Sequence, residues 1–541
     1  VRHIFWIVFL FSLWTSDCLW ALTKTYFSPT FFPLDVYYLQ GELPGPTVMV
    51  QGGIQGDEPS GVVCAQILTL AKVKKGNLII VPRANWPSLL LYKRQINVDL
   101  NRRFDKDYHQ YYEDTLAKAI SYLSSISDGL IHLHEGSGFY SPTYINIERN
   151  PRRYGQSIII DTSTYQRLYL ASLAENVLST VNNQLHPPDY AFSLFNMNTF
   201  SSNTLYPEQK KSLTYNVLKK YQKPAFAVEV SKNIRDLTWK IEHMLLVVKK
   251  LAKEMDVEID LSGINVSSLV ENWYDLGVDI QKVDKKSIYS FQIDWDYHGL
   301  AKSGLIVEGV EYDFRGQEII VFPGESRKVS LVLDGNRVKE FFLSAPKIDS
   351  IQSNILVYAL DGKIHFALPG ENILAKEGQS FIVYGLWPNK EEIINIKGYV
   401  GLNVRKNEGQ DVDENVYLTK GAFIPRYLEE NRDGWKFQIV RENKTQNSVE
   451  WTVKVEKRKL KEVFLLNTDN NTIYKLDKKI PSGKYILKTN PEKDVILILD
   501  KYPLPYYSGD VLSLDAGKHH LCFRDNYTFQ IVREEDIYVS P

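Results

Sequence analysis

Cysteine is almost missing from this 541-residue chain. Of the three present, Cys18 lies in an N-terminal stretch that reads as a leader, and Cys64 and Cys522 fall in segments of different character. A disulfide framework is thereby excluded as the source of stability. The lack of any Cys-x-x-Cys pair excludes a cysteine-ligated structural zinc as well. An excess of charge of one sign is also missing. The 64 Lys and Arg face 65 Asp and Glu, a formal net charge of −1, which leaves no global field to favour nucleic acid or an anionic membrane. After the first twenty residues there is no apolar run long enough to cross a bilayer, so no membrane span is expected in the mature chain. What remains is the ordinary balance of a soluble globular protein, 44% hydrophobic and 24% charged, at a length that predicts about three or four domains.

The N-terminus carries Arg2 and His3, then an apolar stretch from Ile4 to Trp14, a polar break at Thr15-Ser16-Asp17, and a small residue, Ala21. A basic start, a short apolar centre and a small-residue cleavage site are the parts of a secretory signal. Residues 1–21 are therefore expected to be a signal peptide and the mature protein to work outside the cytoplasm.

From 22 to 256 short apolar runs (47–51, 78–82, 130–134, 157–161 and 225–230) alternate with amphipathic stretches (60–71, 113–124, 165–182, 208–221 and 237–255). This is the pattern of an α/β domain around a largely buried, mostly parallel sheet. Beyond 257 the helical periodicity stops. Short alternating runs punctuated by Asp334-Gly335-Asn336, Asp361-Gly362, Ser482-Gly483 and Ser508-Gly509-Asp510 predict all-β domains, sandwiches or small barrels. The segment 432–442 recurs at 524–534, with eight of eleven positions identical at an offset of 92 residues. That predicts β domains at 257–346, 347–445 and 446–541, the last two duplicates.

Four motifs carry chemistry. Gly52-Gly53-Ile54-Gln55-Gly56-Asp57-Glu58-Pro59 joins a strand to a helix, so Gln55 and Glu58 sit where α/β sheets build their sites. Taken alone, Glu58 could simply favour the helix N-terminus. Arg94 and Asp99-Leu100-Asn101-Arg102-Arg103 bring guanidinium groups together, the natural partners of a carboxylate. A solvated charged loop has the same composition. His132 and His134 alternate onto one strand face, His134 nearest the strand end, where either a metal ligand or a structural histidine fits. Glu229 lies inside the apolar run 225–230, and a carboxylate there needs a partner or a catalytic role.

In this order the motifs resemble the carboxypeptidase A-type zinc carboxypeptidases and the related aspartoacylase group. The family has a glycine-flanked His-x-x-Glu, an Asp-x-Asn-Arg, a second His after a strand and a catalytic Glu. The matches are Gln55-x-x-Glu58, Asp99-x-Asn101-Arg102, His134 and Glu229. Gln55 in place of the first His, with the leader and the β tail, resembles the periplasmic DL-carboxypeptidases that determine helical cell shape in Helicobacter and Campylobacter relatives. The resemblance implies one zinc ion on Gln55, Glu58 and His134, with Glu229 as general base and acid and Arg94 at the oxyanion. Asn101 and Arg102 would grip the substrate carboxylate. It also implies peptidoglycan stem peptides as substrate, a periplasmic location, and other cell-shape proteins as candidate partners of the β domains. An aspartoacylase-like amidohydrolase acting on acylated amino acids, and a non-catalytic wall-binding scaffold, are the alternative readings.

Overall fold

The computed structural model describes residues 21–28, 30–108, 110–275, 278–287, 289–308, 318–347, 355–388, 393–401, 409–442, 449–457, 459–476, 480–490, 495–500, 504–526 and 531–541. The expected signal sequence therefore lies outside the described residues, apart from Ala21. Among the described residues no helix is long and apolar enough to cross a membrane.

The N-terminal half folds around one mixed sheet. Its strands are β1 (Ala21–Tyr26), β2 (Leu34–Gln40), β3 (Leu43–Gln51), β4 (Lys72–Val81), β5 (Gly129–Gly136), the short pair β6 (Phe139–Tyr140) and β7 (Arg149–Asn150) lying outside it, then β8 (Ser157–Ile160), β9 (Ser193–Asn196), β10 (Ala225–Ser231) and β11 (Glu258–Asp260). The order is β1-β2-β4-β3-β5-β10-β8-β9, with β11 on β4. The centre, β4-β3-β5-β10, is parallel throughout; antiparallel pairs lie toward the edges. The helices are α1 (Pro59–Leu68), α2 (Trp86–Leu90), α3 (Tyr112–Ile126), α4 (Leu170–Asn182), α5 (Leu213–Asn216), α6 (Leu237–Glu254) and α7 (Val266–Glu271).

Each sheet face has its own core. Val48, Val50, Ile131, Leu133, Phe226 and Val228 pack with α1, α4 and α6. Met49, Leu130 and Ala225 pack with α3 on the other side. Strands buried on both faces read as the near-continuous apolar runs seen in the sequence. The expected helix at 208–221 is broken: a 3-10 turn at Pro207–Lys211, then α5, then a π turn ending at Tyr221. The expectation that helix stops at 257 is also corrected. α7 forms at 266–271, and Val270 and Trp273 are buried in the same core as α6. Six residues are too few to show a helical period.

The remaining described residues form pairs of small β sheets, with 3-10 turns at Lys420–Ala422 and Pro425–Tyr427. Three separate cores fill them: Phe291 to Ala345 with parts of 357–384, then Leu356 to Val455, then Val463 to Val539. The sheet carrying Ile355–Leu360 and Ser380–Trp387 serves two cores at once. Leu356, Tyr358, Phe381 and Val383 face one, and Val357, Ala359, Ile382 and Tyr384 face the other. That double burial is why those strands lack an alternating polar face. The repeated segment occupies two different places. Its first copy is a single strand, Gly434–Glu442. Its second begins in the last residues of Gly517–Asp525 and continues in Ile531–Ser540, with 527–530 outside the described residues.

Candidate active site

Side-chain alternation builds the site. Because Met49, Leu130 and Ala225 point toward α3, so do Gln51, His132, His134 and Glu229. The parallel register sets Gln51 beside His132 and His134 beside Glu229. The turn after β3 returns tightly into α1, with Pro59 in the first helical turn. It delivers Glu58 opposite His134, whose Nδ1 lies 2.8 Å from Glu58 Oε2. Gln55, Glu58 and His134 are 2%, 4% and 6% exposed, so the trio is enclosed.

Burial works against a charged His134, but the hydrogen-bonded Glu58 carboxylate outweighs it and the imidazole pKa is raised. His132 stands behind it. Burial first, and the neighbouring His134 second, hold its pKa well below the usual imidazole value, so His132 is neutral. His134 Nε2 lies 3.2 Å from His132 Nδ1. The structure thus separates the two histidines: His134 meets Glu58, and His132 backs the ring from behind. Second partners of this kind fix the orientation of a ligating imidazole.

Asp99 is the organiser that sequence reasoning passed over as a site residue. Both its oxygens accept from Gln55 Nε2 at 3.1 Å. It also accepts from Arg94 Nη2 at 2.9 Å and from Asn101 N at 3.0 Å. A carboxylate that receives an amide must receive the NH2 end, which leaves Gln55 Oε1 as the atom available to a cation. The signal was present in the sequence, since Asp99 opens the segment that contains Asn101 and Arg102.

The three arginines part company. Arg103 is paired with Asp114 at 2.6 Å. Arg94 is paired with Asp99 and reaches to 3.7 Å from Glu58 Oε1. Arg102 Nη1 donates to Asn101 O at 2.9 Å, and among the described residues no carboxylate forms an ion pair with it. Burial, the largest influence on its guanidinium, lowers its pKa. Asn101 is turned partly to the fold, its Oδ1 accepting from Leu213 N at 3.0 Å, which leaves its Nδ2 for other work.

Glu229 completes the cluster. Burial pushes its carboxyl up from 4.5 to about 7, with His134 and Arg94 pulling the other way. It rests on glycine: a Cβ on Gly136 would overlap Glu229 Oε2 and stand 2.5 Å from Gly155 Cα. Gly136→Ala is therefore expected to displace the carboxylate and cut turnover by roughly 10²-fold, with metal affinity kept. Steady-state kinetics beside a chelator competition would check it. Glu135 faces away, accepting from Ser60 N at 2.9 Å and pairing with Lys240 at 3.2 Å. Tyr140 is 37% exposed and stacks on Tyr154 at 4.7 Å; Gly155, next to Tyr154, lies against Gly136.

The donor set fits a divalent cation: one carboxylate, one imidazole and one amide oxygen. Among the described residues no three His, Cys, Asp or Glu side chains converge to hold a metal ion, and the third donor here is an amide.

Residues 13–269 match the family described as the catalytic domain of a carboxypeptidase controlling helical cell shape. Solved structures similar to the chain include the product-bound cell shape determinant Csd4 from Helicobacter pylori. It is 21% identical, with 78% of this chain and all of that one covered, at a TM-score of 0.45. The form of the same protein bound to mDAP, described as a D,L-carboxypeptidase, is 22% identical over 76% of this chain and 96% of its own, at 0.43. A succinylglutamate desuccinylase/aspartoacylase from Rhodobacter sphaeroides is 15% identical over 42% of this chain and 60% of its own, at 0.29. No curated protein matches the sequence.

Proposed function

We propose that this chain is a periplasmic, zinc-dependent DL-carboxypeptidase that trims peptidoglycan stem tripeptides to dipeptides, releasing meso-diaminopimelate. The observation that carries the reading is Arg102, a partly buried guanidinium that no carboxylate pairs with among the described residues, lying within electrostatic reach of His132 behind His134. A buried cation of this kind asks for an anionic guest. With Asn101 Nδ2 it forms a clamp for a terminal carboxylate, and such a clamp restricts cleavage to the end of a peptide.

Gln55 Oε1, Glu58 and His134 would hold the single zinc ion, which supplies Lewis-acid activation of the scissile carbonyl and the attacking water. Glu229 takes the proton of that water and passes it to the departing amine, a role suited to a carboxyl whose pKa lies near neutrality. Arg94, the most exposed of the charged groups here, meets the negative charge that develops on the carbonyl oxygen. The tail extends the same reading: a small barrel at 257–346, then immunoglobulin-like sandwiches at 347–445 and 446–541. The separate clusters Leu356–Val455 and Val463–Val539 support the last of these boundaries, while the first two units share the core that joins Phe291–Ala345 to Val357, Ala359, Ile382 and Tyr384.

The test is to incubate the protein with tripeptide muropeptides and follow dipeptide and free diaminopimelate by mass. Conversion is expected with zinc, its loss with a chelator, and its return on adding zinc. No conversion in zinc-replete buffer sinks the proposal. Cleavage of acylated amino acids in place of muropeptides would turn it into an aspartoacylase-like amidohydrolase.

A further inference from the structure

The turn Asp334-Gly335 joins the strands Ser326–Leu333 and Asn336–Ser344 in the first β unit. Both residues have positive φ, 44° and 82°, as a two-residue hairpin turn of this type requires. Hairpin tips normally meet solvent. This one does not: Asp334 is 1% exposed, and it is buried against the catalytic domain. Its carboxylate takes both arms of Arg83, Nε at 2.6 Å and Nη2 at 2.7 Å. Arg83, just beyond the end of β4, also reaches Gln66 on α1 and donates to Leu300 O at 2.9 Å. Gly335 is pressed so closely on α2 that a Cβ would overlap Leu89 O.

The same hairpin packs a hydrophobic face on α2. Val332, with Ile306 of the neighbouring strand Ser303–Val307, joins Val62, Trp86, Leu89 and Leu90 in one cluster, while Val329 and Leu331 face the core of their own unit. From α2 the contact runs straight into the site. Ser88 Oγ accepts from Gly56 N at 3.1 Å and donates to Lys93 O, and Gly56 N also donates to Lys93 O at 3.0 Å. A Cβ on Gly56 would overlap the Ser88 carbonyl. Gly56 follows Gln55, and Lys93 precedes Arg94.

The geometry points to a positioning role for the first β unit: the buried Asp334-Gly335 hairpin holds α2 and, through Ser88, sets Gln55 and Arg94 in place. Asp334, Gly335 and Val332 are positioning residues that touch no reacting atom. The inference rests on the reading of Gln55 and Arg94 given above, and it makes the catalytic domain dependent on its neighbour.

The test compares Asp334→Asn and Val332→Ala with Val329→Ala, which makes the same Val-to-Ala cut in the same strand but on the opposite face. Amide hydrogen exchange at 53–58 and 86–94, zinc affinity by chelator competition, and kcat and KM on muropeptides are read in the full chain. Asp334→Asn and Val332→Ala are expected to speed exchange at Gly56 and to weaken zinc binding by roughly 10–100-fold. Val329→Ala should leave both at wild-type values while lowering Tm. Wild-type exchange and zinc affinity in the two hairpin-face variants would overturn the role, as would equal losses in Val329→Ala. If the parent protein does not cleave muropeptides, the proposed function fails, but exchange and zinc affinity still decide this inference.

Discussion

Glu229→Gln is expected to reduce kcat by roughly 10²- to 10⁴-fold, the range for losing a general acid-base group, while metal and substrate still bind. The amide has the shape of the carboxyl but cannot take a proton from water. The sign of the accompanying pH effects follows from burial. A base works when deprotonated, and burial has pushed the Glu229 carboxyl up to about 7. The wild-type kcat/KM should therefore rise with pH along an acid limb at or below about pH 7, because a cation at Gln55, Glu58 and His134 pulls the carboxyl down. The limb should be absent from the residual activity of the variant. Stability runs the other way. In the metal-free protein the folded value lies above the ordinary 4.5, so stability from this group is full below about 4.5 and is lost as pH rises through about 7. Metal-free Glu229→Gln should be at least as stable as the parent at pH 8. Equal activity, or a Tm loss that tracks the activity loss, would remove Glu229 from the catalytic role.

Arg102→Met should cost about 3–5 kcal/mol of transition-state binding, since the substrate carboxylate would enter a buried site with no partner. That corresponds to roughly 10²- to 5 × 10³-fold in kcat/KM. A loss of that size could also come from a disturbed loop, so the second substrate matters. A muropeptide whose terminal carboxylate is amidated should be a poor substrate for the parent by a similar factor. It should be no worse than the free acid for Arg102→Met. If the variant still prefers the acid as strongly as the parent does, the clamp lies elsewhere. Arg103 is the natural comparison, because its guanidinium is already taken by Asp114. Arg103→Met should disturb the loop without erasing the preference for a free carboxylate.

These expectations rest on residues that the sequence exposes unevenly. The turn from Gly52 to Pro59 is local, and its glycines, its proline and its place between a strand and a helix are readable without partners. His134 and Glu229 are legible for the same reason: each is a polar residue inside an apolar run. Pairings across the chain are not. Glu135 looks like a neighbour of the site until Lys240 and Ser60 claim it. Asn101 looks free until Leu213 donates to its side chain. Asp334 reads as an ordinary turn residue because Arg83 is 251 positions away. Alternation along one strand is a local property, whereas the choice of partner depends on how the sheets are brought together.

The last β unit does not trail behind the enzyme. Leu504 is buried in the core beneath α3, Tyr507 OH accepts from Phe27 N at 2.7 Å, and Lys24 pairs with Asp510 at 2.7 Å. A module on a flexible linker raises the local concentration of whatever it binds over a volume set by the linker's reach. Here that volume collapses to a single pose. A ligand of the tail would be presented to the active site at one distance and in one orientation, and so be selected by geometry as much as by affinity.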